Sequence, residues 1–203
     1  MIDEISNGIQ IAVLLVCIIV ALFYAVRMRN RAWTLLAFVI GSWWMGEIFW
    51  SGCLLLLGDM PLVGWVSDLN WYASFVFLYL LLRELAPPEG RIGFLPWFGP
   101  MFTFGMVLYF IQWGEILNNI VYASLMGLLL FAALRRLRDR ERYGPQRFLC
   151  VMILILCLLE YALWTASCIW REESWANPYY WCDILLTGCF PFFLPATKRV
   201  MSA

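Results

Sequence analysis

The chain has 203 residues, of which 64% are apolar, 18% aromatic and 14% charged, and its formal net charge is zero. A soluble domain is about 45–50% apolar and about 25% charged, and a globule of this length still exposes much of its surface. The composition therefore excludes a soluble fold and predicts an integral membrane protein. The zero net charge indicates no nucleic-acid partner, and the absence of histidine excludes a His-ligated haem or zinc site and a Ser-His-Asp triad.

Seven apolar stretches follow one another along the chain. A helix needs about 20 residues to cross about 30 Å of hydrocarbon, and only helices or closed barrels satisfy their backbone groups in lipid. These stretches are continuous rather than alternating, which favours helices over a barrel. We therefore predict an all-α, polytopic membrane bundle of seven transmembrane helices in one domain. In chain order the predicted helices cover residues 8–26, 32–57, 62–82, 92–113, 116–134, 148–170 and 179–196.

The basic residues lie on one side of these helices. Segments 27–31, 83–91, 135–147 and 198–199 hold 13 of the 14 Lys and Arg residues, and the opposite side holds only Arg171. The positive-inside rule then places the N-terminus outside and the C-terminus in the cytoplasm, and we expect a multi-pass protein of the bacterial inner membrane.

One cytoplasmic segment is rich in arginine and reads RRLRDRERYGPQR. It is either an ordinary positive-inside loop or a contact site for anionic lipid headgroups or a protein partner. The residues that would make such a contact are Arg135, Arg136, Arg138, Arg140 and Arg142.

A faint internal repeat relates the two halves of the chain. Four pairs of residues match at offsets of 113, 114, 115 and 115: Glu47 with Glu160, Trp50 with Trp164, Cys53 with Cys168, and Asp68 with Asp183. We predict a parallel 3+1+3 repeat, with copies at about 8–85 and 116–196 and a linker helix at about 92–113.

Four acidic residues lie inside the predicted helices: Glu47, Asp68, Glu160 and Asp183. An ionisable group at the bilayer centre costs at least about 2.5–3.5 kcal/mol, and such groups usually face a bundle interior or a wet cavity. No basic residue lies at matching depth, so each carboxyl must be protonated, hydrogen-bonded, hydrated or matched by a ligand. A purely structural role is the alternative, either as a hydrogen bond to a neighbouring helix or, for the two aspartates, as a helix cap.

Aromatic residues accompany these acids at helical spacing. Trp43, Trp44 and Trp50 lie at i−4, i−3 and i+3 from Glu47, and Trp164 lies at i+4 from Glu160, so ring and carboxyl share a helix face. Rings around a carboxylate suit an organic cation or a sugar-like ligand, whereas packing or an interfacial belt is the structural alternative. The predicted ligand-binding residues are Trp43, Trp44, Glu47, Trp50, Asp68, Glu160, Trp164 and Asp183.

Residues 46–85, GEIFWSGCLLLLGDMPLVGWVSDLNWYASFVFLYLLLREL, resemble multi-helix sensor regions that precede domains making or degrading cyclic-di-GMP in bacteria. Those regions carry an acid and Trp on one helix, a Pro-containing outer loop, and an Asp followed by an aromatic-rich helix. We expect no output domain after residue 196, so the resemblance implies that a signal passes to a separate protein.

The layout also resembles that of small sugar uniporters with three-plus-one-plus-three helices and an outside N-terminus. This likeness is topological, because the Pro-Gln pair that those families place inside membrane helices lies here in the cytoplasmic loop, at Pro145 and Gln146.

These observations favour a sensing or accessory membrane subunit with an outward-facing acidic and aromatic cavity for a small ligand, coupled to a membrane or cytoplasmic protein partner. The first alternative is a small proton-coupled transporter of a cationic or sugar-like solute. The second is an intramembrane lipid-modifying enzyme that uses its carboxyls as general acid and base, although no nucleophile is marked and catalysis is the weaker expectation. We expect the lipid bilayer as a contact, no cofactor and no bound metal.

Overall fold

The computed structural model describes residues 2–58, 65–85, 87, 93–138 and 143–202. These residues form helices and no strands, which confirms the all-α prediction for the described ranges. A short 3₁₀ helix, Leu95–Trp97, directly precedes the fourth α-helix. The α-helices are α1 (Ile2–Met28), α2 (Arg31–Leu57), α3 (Trp65–Leu85), α4 (Phe98–Phe110), α5 (Ile116–Arg138), α6 (Arg147–Ile169) and α7 (Pro178–Met201).

Five helices of the described ranges are long and apolar enough to cross a membrane: α1, α2, α3, α5 and α6. They also present large apolar side chains on the outside of the bundle. Val26, Leu55 and Leu56, for example, are 77%, 77% and 83% exposed. A surface this apolar indicates contact with a lipid bilayer.

The other two helices differ from the predicted spans. The apolar helical stretch Leu95–Phe110 is shorter than the about 20 residues that a crossing needs, whereas we predicted a full span at 92–113. Pro96 lies at its start, and the Trp113 amide donates to the Phe110 carbonyl at 3.0 Å in a turn that ends it. Helix α7 has 24 residues, but Asp183 and its internal prolines reduce its apolar content.

Local sequence signals fix several helix ends. The Asn30 side chain accepts a hydrogen bond from the Ala32 amide at 2.7 Å and caps α2. Gly58 ends the same helix with a φ of 71°, a left-handed conformation that glycine adopts without a Cβ clash. Asn177 caps α7 through the Tyr179 amide at 2.9 Å. Each cap satisfies a backbone group that the first or last helical turn leaves unpaired.

Six of the described helices contact one another in a closed ring, in the order α1, α2, α3, α5, α6, α7 and back to α1. Helices α2 and α7 also touch across the ring. Helix α4 packs against α5 so closely that a Cβ added at Gly99 would lie 2.7 Å from the Leu130 Cβ. This order brings the inward faces of α1, α2, α6 and α7 together, and these faces form the walls of the site.

Candidate functional site

Three buried carboxyl groups from three helices line one cavity. Glu47 of α2 is 7% exposed, Glu160 of α6 is 3% exposed, and Asp183 of α7 is 4% exposed. The cavity has a volume of about 460 Å³, which is within the size range of small-molecule sites. Six of the eight residues that the sequence proposes for ligand binding line it: Trp43, Glu47, Trp50, Glu160, Trp164 and Asp183.

The cavity is elongated along the helix axes. On α2 its lining runs from Trp43 to Leu54, which corresponds to about 16 Å at a rise of 1.5 Å per residue. On α1 it is lined by Asp3, Asn7 and Gln10, whose i, i+4, i+7 spacing puts them on one helix face. The cavity is therefore a slot between parallel helix faces rather than a round chamber.

The two ends of this slot differ in exposure. At one end, beside the start of α1 and the connection between α6 and α7, the lining residues Asp3, Arg171, Glu172 and Glu173 are exposed. We call this end the mouth. At the other end Gln10 is buried, as are Glu160 and Trp43, and we call this the deep end. A ligand would thus enter past exposed charges and reach buried ones.

Hydrogen bonds distinguish the three buried acids. Trp71 of α3 donates its indole N–H to Oε1 of Glu47 at 3.1 Å. The Ser6 hydroxyl donates to Oδ2 of Asp183 at 2.6 Å, which ties α1 to α7. Oε2 of Glu160, in contrast, is buried with no hydrogen-bond partner. Because buried polar atoms are nearly always satisfied, this oxygen points to a donor that a ligand or water would supply.

The Trp71–Glu47 contact depends on a glycine next to the acid. A Cβ added at Gly46 would lie 2.7 Å from the Trp71 indole nitrogen, closer than packed atoms allow. At Gly52, on the same helix, an added Cβ would have no neighbour within 4 Å. The indole therefore reaches Glu47 only because residue 46 has no side chain.

We expect Gly46→Ala to lower the free energy of unfolding by about 1–3 kcal/mol, because the methyl group displaces the indole and Glu47 loses its donor. Chemical denaturation in detergent, followed by circular dichroism, measures this loss. Gly52→Ala is the matched control and should leave stability unchanged or raise it, since alanine favours a helix. Equal effects of the two substitutions would contradict the proposed packing.

The described lining of the cavity is rich in acidic side chains. Its described lining includes six acids, Asp3, Glu47, Glu160, Glu172, Glu173 and Asp183, and one base, Arg171. The acids are not arranged for a metal ion, because no group of three or more His, Cys, Asp or Glu residues in the described ranges has suitable geometry. The lining also holds indole and phenol rings from α2, α3, α6, α7 and the α6–α7 connection: Trp43, Trp50, Trp71, Trp164, Trp170, Tyr179 and Tyr180.

Two of the residues proposed from the sequence lie elsewhere. Trp44 turns towards α1 and donates its indole N–H to the Ile11 carbonyl at 3.1 Å. Asp68 faces α5, where the Tyr122 hydroxyl lies 3.5 Å from its Oδ1, and it is not among the residues that line the cavity. The suggestion that Asp183 caps α7 is wrong, because Asn177 occupies that position.

The arginine-rich segment is only partly described, since Arg140 and Arg142 lie outside the described residues. Arg138 is exposed at the end of α5, and Arg135 is half-buried. Arg136 is 2% exposed: it donates to the Ala132 carbonyl at 2.8 Å and its guanidinium lies 6.0 Å from the Tyr143 ring. The Arg136 side chain is therefore buried in the bundle, whereas we expected it to contact headgroups or a partner at the surface.

Sequence reasoning missed the contribution of α1. The residues Asp3, Asn7 and Gln10 form a polar stripe on an otherwise apolar helix, and Ser6 lies beside it. Their i, i+4, i+7 spacing is visible in the sequence and is the signal that could have identified this wall. The acids of the α6–α7 connection, Glu172 and Glu173, also line the cavity and were not among the predicted binding residues.

Comparison of the chain with protein-family models, curated proteins and solved structures finds no match.

Proposed function

We propose that this chain is a seven-span membrane protein that binds a small ligand in the acidic and aromatic cavity and acts as a sensing or accessory subunit of a partner protein. The observation that carries the proposal is the cavity itself, a slot of about 460 Å³ with Glu160 unsatisfied at its deep end. Ligand sites are typically concave and apolar with a few convergent polar groups, and this lining has that character.

The proposal includes an orientation. The positive-inside rule puts the segments that hold 13 of the 14 Lys and Arg residues in the cytoplasm. The start of α1 and the α6–α7 connection, which form the mouth of the cavity, then lie on the outer side. The described cytoplasmic face then includes the exposed Arg138, whose guanidinium lies against Gly93. A ligand would bind from outside, and its occupancy would be read on the opposite face.

Intrinsic fluorescence of the purified protein in lipid nanodiscs tests ligand binding, because Trp43, Trp50, Trp71 and Trp164 line the cavity. The probes are small amines, monosaccharides and polyols, each titrated separately. We expect at least one class to give a saturable change in the wild type and in the control Glu115→Gln, whose exposed acid lies outside the cavity. The change should be lost in Glu47→Gln and in Glu160→Gln. No saturable change with any class, or an unaltered change in both cavity variants, would overturn the proposed function.

A second candidate, transport, is supported by the arrangement of the helices. In the closed ring of six helices, α1, α2 and α3 have the same order of neighbours as α5, α6 and α7. Replacing each helix of one set by the corresponding helix of the other therefore leaves the order of contacts unchanged. The same exchange relates Asp183, which contacts Ser6 of α1, to Asp68, which contacts Tyr122 of α5. This agreement supports the 3+1+3 repeat, and helices of both halves line the cavity. Rocking of parallel repeats about a central site is a mechanism of alternating access.

Counterflow in proteoliposomes separates the two candidates. A transporter exchanges internal unlabelled probe for external labelled probe, and a proton-coupled one does so with a rate that depends on pH. The sensing subunit that we favour binds the same probe without counterflow.

A further inference from the structure

We propose that the ligand of the cavity is a linear aliphatic polyamine, with one ammonium group at the deep end between Glu47 and Glu160 and a second at the mouth. This inference rests on the proposed function and names its ligand class. Its basis is the distribution of acids along the slot, which separates into a buried group and an exposed group.

At the deep end the carboxyl groups of Glu47 and Glu160 supply hydrogen-bond acceptors, and the Trp43 indole N–H and the Gln10 side-chain amide are donors in the same lining. Glu160 Oε2 has no partner, and Glu47 receives the Trp71 indole N–H at Oε1. An alkylammonium group carries three donors and no acceptor, so it matches these carboxyl groups without leaving a polar atom of its own unpaired. A buried charge is tolerated when it is paired and hydrogen-bonded. The ammonium group and the carboxyl groups would each pair the charge of the other.

At the mouth the lining carries a second surplus of negative charge. Among the described lining residues, Asp3, Glu172 and Glu173 lie there with one basic side chain, that of Arg171. Some of this charge is used locally, since Glu173 Oε1 accepts from the Ile2 amide at 2.7 Å and Asp3 accepts from the Tyr180 hydroxyl. A second ammonium group would still find more acids than bases. Anionic ligands are disfavoured at both ends.

The walls between the two ends suit a methylene chain. Trp50, Trp71 and Trp164 contribute indole rings to the lining, and the ring centroids of Trp50 and Trp71 lie 6.1 Å apart. Indole rings bury aliphatic stems well and attract a nearby ammonium group through the ring quadrupole. The lining runs about 16 Å along α2, which favours an extended polycation over a compact monocation.

Isothermal titration calorimetry with the whole chain in nanodiscs of zwitterionic lipid tests this proposal. The probes are spermidine, the monoamine n-butylamine and the neutral 1,4-butanediol. We expect spermidine to bind saturably and at least about tenfold more tightly than n-butylamine, with no binding of the diol. Glu160→Gln should weaken spermidine binding by about 10- to 100-fold, the usual effect of removing a charge-assisted hydrogen bond. Glu115→Gln, outside the cavity, should leave it unchanged.

A variant at the mouth tests the second ammonium position. Glu172→Gln should weaken spermidine binding and leave n-butylamine binding unchanged, because only the longer cation reaches the mouth. If Glu160→Gln does not fold, Glu47→Gln provides the same test at the deep end, and the comparison of spermidine with n-butylamine in the wild type needs no variant.

The outcomes distinguish this inference from the proposed function. Saturable binding of 1,4-butanediol, or of a monosaccharide in the fluorescence titration, without binding of spermidine would overturn the polyamine assignment and leave a ligand-binding protein. Spermidine binding that is unchanged in both Glu160→Gln and Glu47→Gln would also overturn it, since the cation would then be held at the surface. The absence of binding by any probe class would overturn both.

Discussion

Replacement of Glu160 by leucine is expected to stabilise the protein and to abolish ligand binding. The carboxyl is 3% exposed and its Oε2 has no hydrogen-bond partner, so the folded state carries an unsatisfied polar group in the bundle interior. Leaving such a group unpaired costs about 1–3 kcal/mol, and we expect Glu160→Leu to raise the free energy of unfolding by this amount. Thermal denaturation in detergent and the spermidine titration measure the two effects.

The matched control for this change is Asp183→Leu. Asp183 is as deeply buried as Glu160, but it accepts a hydrogen bond from Ser6 and so joins α7 to α1. We expect its replacement to lower stability, because the Ser6 hydroxyl then loses its acceptor. A loss of stability in both variants would mean that the Glu160 carboxyl stabilises the fold. It would contradict the proposal that this carboxyl lacks a hydrogen-bond partner because it binds a ligand.

The helices could be predicted from the sequence because apolar runs in lipid leave few alternatives. Without water to pair backbone groups, a continuous apolar run must be helical, and capping residues such as Asn30 and Asn177 then set where helices begin. The fourth helix was predicted too long. Residues 92–113 form one apolar run in the sequence, and we therefore predicted one helix of that length. Pro96 near the start and the turn after Phe110 restrict the regular α-helix to Phe98–Phe110.

The site could be predicted in part because residues on one helix face stay together. Glu47, Trp43 and Trp50 share a face of α2, so one orientation of the helix brings all three to the cavity. Trp44 is one position from Trp43 and therefore points about 100° away, towards Ile11. The sequence alone could not tell which of the two indoles faces inwards, because the rotation of a helix about its axis is set by its neighbours.

Asp68 illustrates the same limit across the proposed repeat. It matches Asp183 in sequence, yet Asp183 lines the cavity and Asp68 faces Tyr122 instead. Tyr122 fills this second position with a ring that lies 4.3 Å from Trp164 and 4.7 Å from Tyr72. Large aromatic side chains thus occupy the space beside Asp68, whereas the space beside Asp183 is open, and no repeat pattern reveals this difference in packing.

Trp43→Ala is expected to destabilise the protein more than any other single change among the cavity residues. The indole is 2% exposed, and its ring lies 5.6 Å from Phe75 of α3 and 5.0 Å from Phe190 of α7. It therefore joins three helices at the base of the cavity. Truncation of a buried aromatic residue typically costs about 3–5 kcal/mol, and we expect a loss of this size in chemical denaturation.

Trp50→Ala is the matched control, since Trp50 lines the same cavity from the same helix. Its side chain is only half-buried, and the ring near it is that of Trp71 at 6.1 Å. We expect a much smaller loss of stability, together with weaker spermidine binding because one indole wall is removed. Similar stability losses in the two variants would contradict the distinction between them. The expected unequal losses would show that Trp43 supports the packing of the bundle beneath the ligand. They would also show that Trp50 forms a wall of the cavity that can be removed without unfolding the protein.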